Sequence, residues 1–119
     1  MQLFVTVIKN SEYVEPILRQ MAENGFSGAT VLDSSGMAQL LKDEEDLPFF
    51  GGLRAERLQE RAKSTTVFAV MEDERIEEAR AIVNRVTGGL NRPDSGIMFA
   101  LPVTFADGIL HPDNAENAS

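Results

Sequence analysis

Residues 65–71 read Thr65-Thr66-Val67-Phe68-Ala69-Val70-Met71, and after Glu72 the chain runs from Asp73-Glu74-Arg75-Ile76 to Val86-Thr87-Gly88-Gly89. The first stretch is β-branched and aromatic and too short for an isolated helix, so it reads as a strand. Asp73 is placed to cap the next element, where Ile76, Ala79, Val83 and Val86 set one apolar face on a helix. Thr87-Gly88-Gly89 closes that helix, and Asn91-Arg92-Pro93-Asp94-Ser95-Gly96 is a loop of turn formers. Ile97-Met98-Phe99-Ala100-Leu101-Pro102-Val103 then reads as another strand.

The same order recurs toward the N-terminus. Leu3-Phe4-Val5-Thr6-Val7-Ile8 is a strand, and Asn10 or Ser11 can cap the helix after it. There Val14, Ile17, Leu18 and Met21 recur at helical spacing. Pro16 is tolerated if the helix starts near residues 13–15, and Asn24-Gly25 ends it, with Gly25 supplying a positive φ. Gly28-Ala29-Thr30-Val31-Leu32-Asp33 is a short strand leading into Ser34-Ser35-Gly36, a turn signal. Two similar β-α-β halves specify the α+β class. The expected architecture is a ferredoxin-like βαββαβ sandwich, a four-stranded antiparallel sheet with two helices on one face. That scaffold serves many functions and fixes none.

The strands are apolar on both sides. Leu3, Val5 and Val7 oppose Phe4 and Ile8; Val67, Ala69 and Met71 oppose Phe68 and Val70; Ile97, Phe99, Leu101 and Val103 oppose Met98 and Ala100. A sheet with one wet face should alternate apolar with polar, whereas two helices cover one face only. The second face is therefore expected to be an interface between copies of the chain, the alternative being that residues 37–63 fold back over it.

Residues 37–63 connect the halves. Met37–Lys42 and Leu53–Lys63 contain helix formers around Asp43-Glu44-Glu45-Asp46, Pro48 and Gly51-Gly52, so two short helices about an acidic turn are expected. A connection this long inside a compact domain is usually functional or disordered. The domain is assigned to residues 1–110, and 111–119 form a flexible polar tail.

The composition narrows function further. The 119 residues include no cysteine and one histidine, His111 in the tail, and carry a formal net charge of −8. Disulfides and Cys-ligated zinc are excluded, and a histidine-based triad or metal site lacks its main ingredient. Net negative charge argues against nucleic acid. No apolar run is long enough to insert into a membrane, and no signal-peptide pattern opens the chain, so the expected location is cytoplasmic. No nucleophile with an adjacent base is evident, so no catalytic residue is assigned and the chain is read as a non-enzyme.

The chain resembles the PII family of nitrogen-regulatory signalling proteins, as a divergent PII-like member. The resemblance rests on Leu3-Phe4-Val5-Thr6-Val7-Ile8-Lys9, on Glu23-Asn24-Gly25-Phe26-Ser27-Gly28-Ala29-Thr30-Val31, and on Ser35-Gly36. It continues with Val70 to Ile76 and with Thr87-Gly88-Gly89 leading through Asp94-Ser95-Gly96 into the last strand. It implies a homotrimer that senses a small anionic ligand, an adenine nucleotide being the candidate, in clefts between subunits. It implies also that loop 37–63 acts on a partner protein such as a transporter or an enzyme, and it requires no cofactor. By the resemblance the ligand site draws on Thr30, Gly36, Val70, Gly88, Gly89 and Gly96. Gly96 stands where the family carries a lysine, and Arg92, in a loop two residues longer, is the candidate substitute. The basic residues that the family carries past the last strand are absent, and the only tyrosine, Tyr13, lies on the first helix rather than in the long loop.

Within that loop, Phe49-Phe50-Gly51-Gly52 is either a hydrophobic plug for a partner or an anchor onto its own subunit. Arg54, Arg57 and Arg61 share a helical face, which together with Phe49 and Phe50 makes Arg54 and Arg57 partner-docking candidates. The plain alternative is exposed arginines paired with Glu56 and Glu60. Asp43–Asp46 lack the spacing of a calcium loop and read as a solvated turn, so no metal site is assigned. Two further functions stand beside the sensor: a ligand-free oligomeric protein-interaction module, and a CutA-like metal-associated trimer, which the scarcity of soft ligands disfavours.

Overall fold

The computed structural model describes residues 1–35, 63–93 and 95–109. Four strands, β1 (Gln2–Ile8), β2 (Thr30–Ser35), β3 (Lys63–Met71) and β4 (Gly96–Pro102), form one antiparallel sheet in the order β2-β3-β1-β4. Helix α1 (Val14–Glu23) follows β1 and helix α2 (Ile76–Thr87) follows β3, each entered through a short 3-10 turn. This is the expected ferredoxin-like α+β arrangement.

Register fixes which residues share a face. Phe4 lies opposite Ala69 and Ala100, and Thr6 opposite Val67 and Met98. Phe4, Thr6, Ile8, Val67, Ala69 and Met71, with Met98 at the margin, form the floor on which Ile17 and Met21 of α1 and Ala79, Ile82 and Val83 of α2 are buried, whereas Ala100 is exposed. Both helices therefore cover the same side. Ile82, absent from the sequence-based core, is fully buried, whereas Ile76 and Val86 are half-buried at the margin.

Local signals explain most boundaries. Asn10 caps the first turn by accepting a hydrogen bond from the Glu12 N–H at 3.0 Å. Gly25 adopts φ 86° just past α1, and Gly88 closes α2 at φ 80°. Asp73 departs from the expectation: it begins the 3-10 turn but makes no side-chain cap. Its carboxylate is drawn instead to the Met1 ammonium at 3.2 Å and the Gln2 side-chain amide at 3.3 Å. The Met1 ammonium and then the Gln2 amide hold that carboxyl below its ordinary range.

β2 begins at Thr30, leaving Gly28 and Ala29 outside the ladder, and it continues to Ser35, which pairs with Lys63. Lys63, expected to end a helix, is thus the first residue of β3. The remainder of the long connection lies outside the described residues, as do residue 110 and the tail 111–119.

Among the described residues, one buried side-chain oxygen has no hydrogen-bond partner, the Thr6 hydroxyl in the middle of the core. An unpaired buried hydroxyl costs about 1–3 kcal/mol. Thr6→Val keeps the shape and removes the polar atom, so it is expected to stabilise the fold by about 1 kcal/mol. A raised urea midpoint would show this; a lowered one would mean that the hydroxyl has a partner after all.

Candidate functional site

The sheet side opposite the helices carries a broad apolar surface. Phe99, Val5, Phe68 and Thr30 lie in one row across all four strands. Leu101, Leu3 and Val70 make the next row, and Ile97, Val7, Thr66 and Leu32 the row on the other side. Of these, Ile97 is 56% exposed, Phe99 46%, Leu101 41% and Leu32 50%. Toward the end of β2 and the start of β3 the face turns polar, where the Ser34 hydroxyl sits 2.6 Å from that of Ser64 and 3.0 Å from that of Thr66. The apolar part is therefore centred on β1 and β4. No described segment covers it.

A cleft of about 510 Å3 opens at the end of the sheet where β2 begins and β3 finishes. Thr30 and Val70, two of the expected ligand residues, line it with Phe68, Glu72 and the connector Gly25–Gly28. Arg75 holds this connector in place. Its guanidinium lies 3.9 Å from the Phe26 ring centroid, donates to the carbonyls of Asn24 and Gly25, and reaches the Glu78 carboxylate at 3.0 Å. One side chain thus joins the end of α1 to the start of α2 and shapes the cleft wall. We expect Arg75→Ala to lose about 1–2 kcal/mol of stability. Arg75→Lys should recover less than half of it, because an ammonium cannot reproduce the planar fork. Thermal denaturation of the three proteins checks this ordering.

The other expected ligand residues lie on the opposite edge. Gly89 and Gly96 line a second cleft, of about 450 Å3, between α2 and β4, together with Arg80, Asn84 and Asn91. The Gly88 N–H donates to the Asn84 carbonyl at 2.8 Å, and the Gly89 N–H to the Thr87 hydroxyl at 3.1 Å. Both donors are thereby engaged inside the chain. Arg92 folds back so that its guanidinium donates to the Thr87 carbonyl at the C-terminus of α2, a favourable place for a cation. Four further N–H donors of that guanidinium remain beyond this bond.

At Gly96 a side chain is excluded. Its φ is 133°, and a Cβ there would stand 2.0 Å from the Val7 carbonyl oxygen. The lysine expected from the resemblance has no room at this backbone position. Within one chain, then, the cleft holding Thr30 and Val70 at β2 and β3 is distinct from the one at β4 holding Gly89 and Gly96, and β1 lies between β3 and β4. Gly36, Phe49, Phe50, Arg54 and Arg57 lie outside the described residues.

Among the described residues no three His, Cys, Asp or Glu side chains gather as a metal site, and no helix is long and apolar enough to cross a membrane. No family model matches the sequence, and no curated protein matches it. The structure is similar to the crystal structure of PII from Arabidopsis thaliana bound to citrate. The TM-score is 0.58 at 13% identity, over 86% of this chain and 76% of that one. The chain therefore has a PII-like fold.

Proposed function

We propose that this protein is a PII-like regulatory protein, a homotrimer that binds a small anion at clefts between subunits and signals through residues 37–63. The observation carrying this reading is the sheet face that is apolar yet covered by no described segment. A PII-like fold that buries this face against other copies also offers a way to join the two separated halves of the ligand site. The side of the sheet where Thr30 on edge strand β2 and Val70 on β3 share a cleft would meet the neighbour's edge bearing Gly88, Gly89, Arg92 and Gly96. An adenine nucleotide is the ligand we favour, with Thr30 and Val70 beside the base and Arg92 supplying charge to the phosphates. No catalytic step is assigned, and residues 37–63, with Phe49, Phe50, Arg54 and Arg57, are the surface for a partner protein.

One observation favours a second reading. Because the Gly88 and Gly89 N–H groups are engaged and Arg92 already serves the helix terminus, the glycine loop is self-sufficient without a ligand. The alternative is an oligomeric protein-interaction module that binds no small molecule. Calorimetry with ATP, ADP, AMP and cyclic nucleotides, on protein whose mass is fixed by light scattering, separates the two. Micromolar binding to a trimer, lost in Arg92→Ala, supports the sensor. A trimer silent to every nucleotide supports the module, and a monomer removes both.

A further inference from the structure

Beyond Pro102 the chain does not leave the domain. The Val103 N–H donates to the Met1 carbonyl at 3.1 Å, extending the β1–β4 ladder by one bond, and Gly108 and Ile109 line the cleft beside Phe26 and Arg75. The segment 103–109 is thus bonded to the sheet at its start and runs along the cleft at its end. Between these points Phe105 is 75% exposed, the most exposed of the large apolar side chains described. An aromatic left in water on a tethered segment has lost much of its freedom already, so burying it in an interface costs little further entropy.

Charge identifies the occupant. Residues 96–106, Gly-Ile-Met-Phe-Ala-Leu-Pro-Val-Thr-Phe-Ala, contain no ionisable side chain in a chain that is 25% charged. Edge strands are ordinarily guarded by charge, and β4 is an edge strand without any. The net charge of −8 opposes contact between copies, least where the touching surfaces add no like-charge pairs, and this run is such a surface. A foreign basic partner would be steered to the acidic surface elsewhere.

From these features we infer that Phe105 is an anchor of the contact between copies of this chain, carrying the interface past the end of β4 onto residues 103–106. The inference rests on the self-association proposed above and adds to it a specific side chain outside the sheet. Phe105→Ser tests it, because so exposed a residue contributes little to the monomer's fold. Sedimentation velocity over a concentration series, with circular dichroism as a check on folding, is expected to show an oligomeric wild type and a folded variant that associates at least about tenfold more weakly. A folded variant that associates like the wild type overturns the anchor and leaves the oligomer standing. A wild type that stays monomeric throughout overturns the anchor and the oligomer together.

Discussion

Replacing Gly96 by alanine is expected to cost about 3–5 kcal/mol, enough to lower the melting temperature by roughly 10 °C or more. Two causes act together. The residue sits at φ 133°, where an L side chain is strained by about 1–3 kcal/mol. The added methyl would also stand 2.0 Å from the Val7 oxygen, so β1 or β4 must shift. Gly96 lies opposite Ile8, a fully buried core residue, so that shift propagates into the packing. Gly28→Ala is the matched control. Gly28 has no neighbour within 4 Å of the new methyl and no positive φ, so its replacement should leave stability unchanged or slightly raised. Urea denaturation of both variants reads the difference, and equal midpoints would refute the account of Gly96.

The largest effect on assembly is expected from Phe99→Asp. Phe99 lies between Ile97 and Leu101 on β4 and heads the row that continues through Val5 and Phe68. In the isolated chain it is nearly half exposed, so a carboxylate there stays hydrated and costs the monomer under about 1 kcal/mol in strand preference. In an interface the same carboxylate would be buried without a partner. We expect association to weaken by more than about a hundredfold, giving a folded monomer by light scattering. A variant that retains the wild-type mass would show that the sheet face is not the contact.

The fold is legible because the sequence states its periods openly. The strand at 65–71, the helical spacing after it and the glycines that stop both helices each have a local cause, and the two-sided strands already imply that one sheet face lacks cover. What escapes depends on distances between elements. Asp73 has the chemistry of a helix cap, but the Met1 ammonium competes for it across the fold. Lys63 is a good helix former by itself and becomes strand because Ser35 is there to pair with it. Arg75 gives no signal, since its partners Asn24 and Gly25 lie about fifty residues away in sequence. Gly96 reads as a candidate donor to a ligand, whereas the close approach of Val7 is sufficient reason for a glycine there. Of the candidate site, Thr30 and Val70 do share a cleft, and Gly89 and Gly96 share another; that these clefts lie on opposite edges belongs to topology, which residue types do not encode.

The two outer strands of the sheet are unlike one another, β2 ending in hydroxyls and β4 free of charge. A contact joining such unlike edges is head-to-tail, and a head-to-tail contact either closes into a ring or grows without limit. In a closed ring every edge finds a mate, and binding sites shared across the seams equal the subunits in number. Dilution that opens the ring would then abolish binding and assembly at the same concentration, so any ligand held there would also act as glue.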